Sequence, residues 1–261
     1  MLALERRNRI LEKLQEEKRV VVSELSQLYD VSEETIRRDL EKLEKDGLAT
    51  KSYGGAVINE NINIDMPFNV RKNRNVVGKQ KIAEIVASMV QDGEHIFLDA
   101  STTAVFVAKA IKSRERMTVI TNSIEIIIEL SDVSDWNIIS TGGSLKEGYL
   151  ALVGPKTEAA ISSYYVDKAI VSCKALDTEK GIMDSVELFS AATQAMLYSS
   201  RQRILAVDSS KFDKVSFVKS MRLKQGDILV TDRLPSEDWQ NYLQERGVQL
   251  VTPEAQEQDQ K

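Results

Sequence analysis

Arg37 and Arg38 stand side by side in the run Val31-Ser32-Glu33-Glu34-Thr35-Ile36-Arg37-Arg38-Asp39-Leu40. An arginine guanidinium donates bidentately to guanine O6 and N7, and it also grips phosphate oxygens. Thr35 is short enough to approach a thymine methyl or a phosphate. A helix that opens on a hydroxyl and carries two such arginines on one side has what a DNA major groove requires. Lys51 and Tyr53 follow within reach of the backbone beside such a groove, and Lys42 and Gly54 complete the candidate DNA contacts.

A second set of residues suits anions and sugars. Asp99-Ala100-Ser101-Thr102-Thr103 offers hydroxyls and backbone N–H groups that fit a phosphate at a helix start. Thr121-Asn122-Ser123 and Thr141-Gly142-Gly143-Ser144 have the same character, each expected after a strand. Ordinary helix capping accounts for any one of them, but three at corresponding places favour a shared anionic pocket. Ser172-Cys173-Lys174-Ala175-Leu176-Asp177 sets a cation and a carboxylate at the end of another strand. Ala206-Val207-Asp208-Ser209-Ser210-Lys211-Phe212 makes Lys211 available to a phosphate. Gly181, Asp184 and Glu187 are expected in a loop able to hydrogen-bond sugar hydroxyls.

Metal and nucleophile chemistry find less support. His95 is the only histidine, which excludes a multi-histidine metal site, and Cys173 is the only cysteine. Both read as structural residues. No catalytic residue, metal or cofactor is expected. A single cysteine forms no intrachain disulfide and points to the cytoplasm.

The elements that must position these groups follow from periodicity. Residues 5–17 form a helical pattern with Ile10, Leu11 and Leu14 on one face. Val20 and Val22 alternate like a short strand. Ser23 is a plausible cap for a helix over 24–29 that buries Leu25 and Leu28. Ser32 caps the next helix, whose acidic first turn suits the helix dipole. There Ile36, Leu40 and Leu43 face the core, and Glu34, Arg37, Arg38, Glu41 and Lys45 face outward. Two short strands around Ser52-Tyr53-Gly54-Gly55 make a hairpin wing. Residues 1–58 are thus read as a winged helix-turn-helix. They carry 11 Lys and Arg against 12 Asp and Glu, so DNA contact rests on charge placement rather than on net charge.

Residues 59–77 are rich in Asn, lack a sustained period and read as a linker. Residues 78–252 then alternate strands with helices, which predicts a mostly parallel sheet in an α/β domain. Residues 253–261 are a polar tail. No apolar run is long enough to span a membrane, and the first residues lack the layout of a secretory leader.

The run from Ser32 to Glu44, with Gly47-Leu48 and Tyr53-Gly-Gly-Ala56, resembles the DeoR family of bacterial transcription regulators. Tyr53 stands where that family usually has His. The resemblance spans about residues 3 to 235 and implies a second domain similar in fold to ribose-5-phosphate isomerase. It implies that Ser101, Thr102, Thr103 and Lys211 hold a phosphate, and that Asp99, Asn122, Lys174, Asp177 and Glu187 line a sugar. Ser123, Gly142 and Gly143 join them as candidates from the strand-end pattern. The isomerases carry an Asp-Gly-Ala-Asp-Glu-like run where this chain has Cys173-Lys-Ala-Leu-Asp177, which argues against retained catalysis. The resemblance implies a regulator, most often a repressor, that binds double-stranded operator DNA as a homodimer or homotetramer and releases it to a phosphorylated sugar. An isomerase-like enzyme with a DNA-binding appendage is the alternative, and a nucleoid-type DNA binder without an effector is the third reading.

Overall fold

The computed structural model describes residues 2–45, 47–59, 66–146 and 148–254. The chain forms two compact units, residues 1–74 and 75–261.

In the first unit, α1 (Ala3–Glu17) leads through β1 (Arg19–Val21) into α2 (Val22–Tyr29) and α3 (Glu33–Lys45). The hairpin β2 (Ala49–Ser52) and β3 (Gly55–Ile58) follows, and β1 joins it in a sheet of order β1-β3-β2. The core collects Ile10, Leu11, Leu14, Val20, Leu25, Ile36, Leu40 and Leu43. Gly55 is required by close approach: a Cβ there would lie 2.0 Å from the Val20 carbonyl oxygen.

Three expectations need correction in this unit. Ser23 does not cap α2. The helix starts at Val22, whose N–H donates to the Gly54 carbonyl at 2.8 Å, so a wing carbonyl satisfies the first amide. Leu28 is 60% exposed, because Tyr29 occupies the inner position beside the core instead. The stretch read as linker contains α4 (Phe68–Asn73), with Phe68 and Val70 buried, and α4 packs on α1. Residues 60–65 of that stretch lie outside the described residues.

One charged residue belongs to this core. Asp39, on the inner face of α3, accepts from Arg6 Nε of α1 at 2.6 Å, with Arg7 Nη1 3.5 Å from its other oxygen. Both Arg6 and Asp39 are buried.

The second unit opens with α5 (Val76–Met89), which begins inside the stretch read as linker, then β4 (His95–Leu98), α6 (Thr102–Ala110), β5 (Thr118–Thr121), α7 (Ile124–Leu130) and β6 (Asn137–Ser140). A hairpin of β7 (Ser144–Lys146) and β8 (Ala151–Val153) precedes α8 (Pro155–Ser162) and β9 (Val166–Val171). Next come β10 (Ala175–Asp177), β11 (Gly181–Asp184), α9 (Glu187–Tyr198), β12 (Ser200–Ala206) and β13 (Val218–Met221). The unit closes with β14 (Ile228–Val230), α10 (Glu237–Glu245) and β15 (Gln249–Val251). Seven strands form one sheet in the order β15-β14-β12-β9-β4-β5-β6, and every pair in it is parallel. Both faces are covered. Phe97, Ala169, Val171 and Leu205 point into one cluster with Met196 and Trp239, while Ile96, Leu98, Ile170 and Ile204 alternate to the other side and are equally buried.

Two readings of this unit are corrected. Thr141-Gly142-Gly143-Ser144 opens no helix; φ values of 62° and 115° at the two glycines turn the chain into the β7–β8 hairpin. Gly181 and Asp184 lie on a strand and Glu187 begins a helix, so they are not one loop. That strand belongs to a second, antiparallel sheet, β10-β11-β13. Of the tail, Pro253 and Glu254 are helical, and 255–261 lie outside the described residues. Among the described residues no helix is long and apolar enough to cross a membrane.

The Arg6–Asp39 pair generates a stability prediction. Asp39→Ala leaves the Arg6 guanidinium buried without its partner and should cost the first unit about 3 kcal/mol. Urea unfolding followed on that unit measures it, and a loss below about 1 kcal/mol would show that the pair does not anchor α3 to α1.

Candidate functional site

The outer face of α3 is built by capping and periodicity. Ser32 Oγ accepts from the Thr35 N–H at 3.2 Å and lies 2.9 Å from Thr35 Oγ1, so the two hydroxyls sit together at the helix start. Ile36, Asp39, Leu40 and Leu43 turn inward. Arg37, Arg38 and Lys42 are left on the exposed side. The arginines are held by carboxylates one turn earlier: Arg37 Nη2 donates to Glu33 Oε2 at 2.5 Å, and Arg38 Nε to Glu34 Oε1 at 3.3 Å.

The wing is tied to the same helix. Lys51 Nζ donates to Glu41 Oε1 at 2.9 Å, and the Lys51 backbone N–H donates to Glu44 Oε1 at 2.9 Å. The hydrogen bond and charge of Lys51 hold the Glu41 carboxyl below the ordinary range. Tyr53 is fully exposed at the turn, next to Gly54 at φ 76°.

In the second unit the sheet brings several candidate groups to one edge. The chain runs β4, β5, β6 outward in one direction and then returns with β9 on the other side of β4, so the switch point lies between β4 and β9. In open parallel sheets ligands bind at the carboxyl ends of the strands at such a point. Asp99 occupies it. Its Oδ2 accepts from the Ser172 N–H at 2.8 Å, across to the end of β9, and its Oδ1 accepts from the Ser101 N–H at 3.1 Å. Burial pushes the Asp99 carboxyl up to about 6, against the pull of the Ser101 and Ser172 donors.

Ser101 caps α6 by accepting from the Ala104 N–H at 3.1 Å. Thr102 and Thr103 supply the first-turn amides of that helix, which have no intrahelical acceptor. Ser123 caps α7 in the same way, accepting from the Ile126 N–H at 3.3 Å. Between these helix starts, Asn122 Nδ2 donates to the Leu152 carbonyl at 3.0 Å, while Asn122 Oδ1 is buried without a hydrogen-bond partner.

Lys211 ends a short 3₁₀ turn after β12. Burial alone would push the nearby Asp208 carboxyl up, but Lys211, the Ser210 hydroxyl and Lys79 together hold it below the ordinary range. Burial also pushes the Cys173 thiol up to about 12, so it stays protonated and inert. His95 begins β4 and Cys173 follows the end of β9, so the two lie at opposite ends of neighbouring parallel strands and form no nucleophile–base pair.

Not every expected residue joins this group. Asp177 closes the β10–β11 turn: its Oδ1 accepts from the backbone N–H groups of Lys180 at 2.8 Å and Glu179 at 3.0 Å, and these donors hold it below the ordinary range. Gly142 offers its carbonyl to Thr157 Oγ1 at 2.7 Å, and Gly143 leaves no room for a side chain beside Thr157, so both brace the β7–β8 hairpin. Glu187 is exposed on the first turn of α9, and Lys174 is half-buried just past β9. Lys79 was missed, although it is buried and acts on Asp208. Its position three residues before Ile82 puts it on the inner face of α5, which was the available signal.

Comparison with known proteins gives two family matches. Residues 6–61 match the DeoR-like helix-turn-helix domain, and residues 74–233 match the DeoR C terminal sensor domain. The uncharacterized HTH-type transcriptional regulator YulB of Bacillus subtilis (strain 168) is 42% identical over 232 residues, covering 89% of this chain and 90% of its own. The HTH-type transcriptional repressor GlcR of the same organism is 34% identical over 248 residues, covering 95% of each chain. A solved ribose 5-phosphate isomerase A from Methanocaldococcus jannaschii aligns over 51% of this chain and 53% of its own, at TM-score 0.38 and 17% identity.

The raised Asp99 carboxyl has a thermodynamic sign. The folded form binds its proton up to about pH 6, the unfolded form only to about pH 4. Stability from this group is therefore fully present below pH 4 and is lost as pH rises through 6, a fall of about 3 kcal/mol. Asp99→Asn should flatten that fall when unfolding of the second unit is measured at steps from pH 4 to pH 7. Parallel profiles for the two proteins would show that Asp99 does not titrate in this window.

Proposed function

The chain belongs to the DeoR family of bacterial transcription regulators, and on that premise we propose that it represses a carbohydrate-catabolic operon and releases the operator when a phosphorylated sugar binds. One observation above all supports the ligand half of this reading. At the switch point a buried carboxylate, the start of α6 with the first-turn amides of Thr102 and Thr103, and the cation of Lys211 share the carboxyl edge of one parallel sheet.

In this reading the amides of Thr102 and Thr103 and the Lys211 ammonium bind the phosphate, which suits a helix N-terminus by both hydrogen bonding and dipole. Asn122 and Lys174 face the sugar. The inert Cys173 stands where the isomerases have a carboxylate, so binding proceeds without proton abstraction. A relative from Haemophilus influenzae, named as the L-fucose operon activator, supports the carbohydrate assignment.

On the DNA side, Arg37 and Arg38 of α3 read base edges, and Ser32, Thr35, Lys42, Lys51, Tyr53 and Gly54 contact the backbone. The protein acts as a homodimer or homotetramer, because helix-turn-helix modules read half-sites about one turn, roughly 34 Å, apart. The sugar phosphate triggers release only by binding better to the arrangement of modules that does not fit the operator.

Two measurements test the two halves. Arg37→Ala or Arg38→Ala should weaken operator binding in a band-shift assay by about 1–3 kcal/mol; unchanged affinity for both variants would remove α3 as the reading helix. Lys211→Ala should keep operator binding but lose release by phosphorylated sugars, which are first screened by the rise in melting temperature that a ligand of the folded state produces. A variant that still responds at the same sugar phosphate concentration would place the phosphate elsewhere.

A further inference from the structure

We propose that Glu33 and Glu34 are specificity-determining residues, which suppress binding of α3 to DNA that lacks the operator sequence. The inference rests on the reading of α3 as the recognition helix. It starts from the pairing on that face: Arg37 is held by Glu33, Arg38 by Glu34, and Lys51 of the wing by Glu41. The arginines and their partners are all exposed, with 51% and 76% of the Arg37 and Arg38 side chains accessible.

Two consequences follow for any DNA that docks here. A phosphate that draws an arginine towards itself competes with the carboxylate, although each pair uses only one of the five guanidinium N–H donors. Exposed pairs one turn apart are weak, shifting populations by only about twofold, so the pairing itself is a small barrier. The larger effect is what remains: a carboxylate without its cation, within a Debye length of about 10 Å of the DNA phosphates at moderate salt. Non-specific DNA offers nothing to offset that repulsion. An operator does, because guanine O6 and N7 take the arginine bidentately while a cytosine N4 amino group donates to a carboxylate.

The same arrangement accounts for an acidic module on a DNA-binding chain. A face with free cations would hold every phosphate backbone, since phosphate contacts position a protein without reading sequence. With both arginines held by carboxylates on the same helix, the start of α3 gains little from a backbone alone. Glu33 and Glu34 thus trade overall affinity for discrimination.

The test uses the full chain and two probes: a duplex enriched from a random library by the unsubstituted protein, and a scrambled duplex of the same composition. Glu33→Gln and Glu34→Gln keep side-chain length and remove charge. Each should tighten binding to the scrambled duplex about threefold to tenfold, the effect of one unit charge near a phosphate in water. Binding to the enriched duplex should change less than twofold. The salt slope for the scrambled duplex should steepen by about one phosphate contact, a change that a merely structural role for the carboxylates would not produce. Equal changes on both probes, in either direction, or no change on either, would overturn the proposal. Arg37→Ala and Arg38→Ala on the same enriched duplex separate the two layers. If both leave affinity intact, the recognition-helix reading itself fails. If they weaken it while the Gln variants leave the ratio unmoved, only the role of Glu33 and Glu34 fails.

Discussion

The carboxylate of Asp99 is the constraint around which the sensor unit is arranged. Parallel strands bring all their carboxyl ends to one edge, and the chain must reverse its order somewhere along that edge. Here it does so between β4 and β9, and one buried side chain bridges the gap by accepting from Ser101 and Ser172. Both bonds favour the charged form, yet burial outweighs them. The junction of β4 and β9 is therefore held by a group whose own environment opposes its ionisation. Such tension is common where a fold binds rather than merely packs.

The DNA-binding unit solves a different electrostatic problem. Five of its cations are divided between two duties. Arg6 and Arg7 meet Asp39 inside, where the pair fastens α3 to α1. Arg37, Arg38 and Lys51 remain outside, each opposite a carboxylate. Adjacent residues on one helix, Arg38 and Asp39, thus serve opposite sides: one is exposed and the next is buried.

How much of this was legible in the sequence depended on the kind of signal. Short β-branched runs such as Val119-Ile120 and Ala169-Ile170-Val171 announced buried strands, and hydroxyls after them announced helix starts at Ser101 and Ser123. The outward face of α3 followed from a clean helical period. What stayed hidden lacked such contrast. Helix α9 buries Ser190, Ala192 and Thr193 along with Met196 and Leu197, so small and polar residues blur its apolar stripe. The β7–β8 hairpin and the sheet of β10, β11 and β13 use strands of three or four residues, too short to show alternation. Asp39 and Lys79 defy the rule that charge lies outside, because each has an opposite charge to meet within its own unit. Asp177 carried the right residue type for a ligand, but its carboxylate is spent on a turn, which only the backbone path reveals.

The hydrogen bond from Val22 to the Gly54 carbonyl, 2.8 Å long, looks like a minor detail of the wing. It joins the first amide of α2 to the tip of the hairpin, while Lys51 fastens the outer strand to α3 through Glu41 and Glu44. The hairpin is thereby braced both to α2 and to α3. Swinging the hairpin away from α2 and α3 would break several of these hydrogen bonds at once. The parts of the module are thus held as the faces of a caliper jaw are, fixed relative to one another by braces at more than one point.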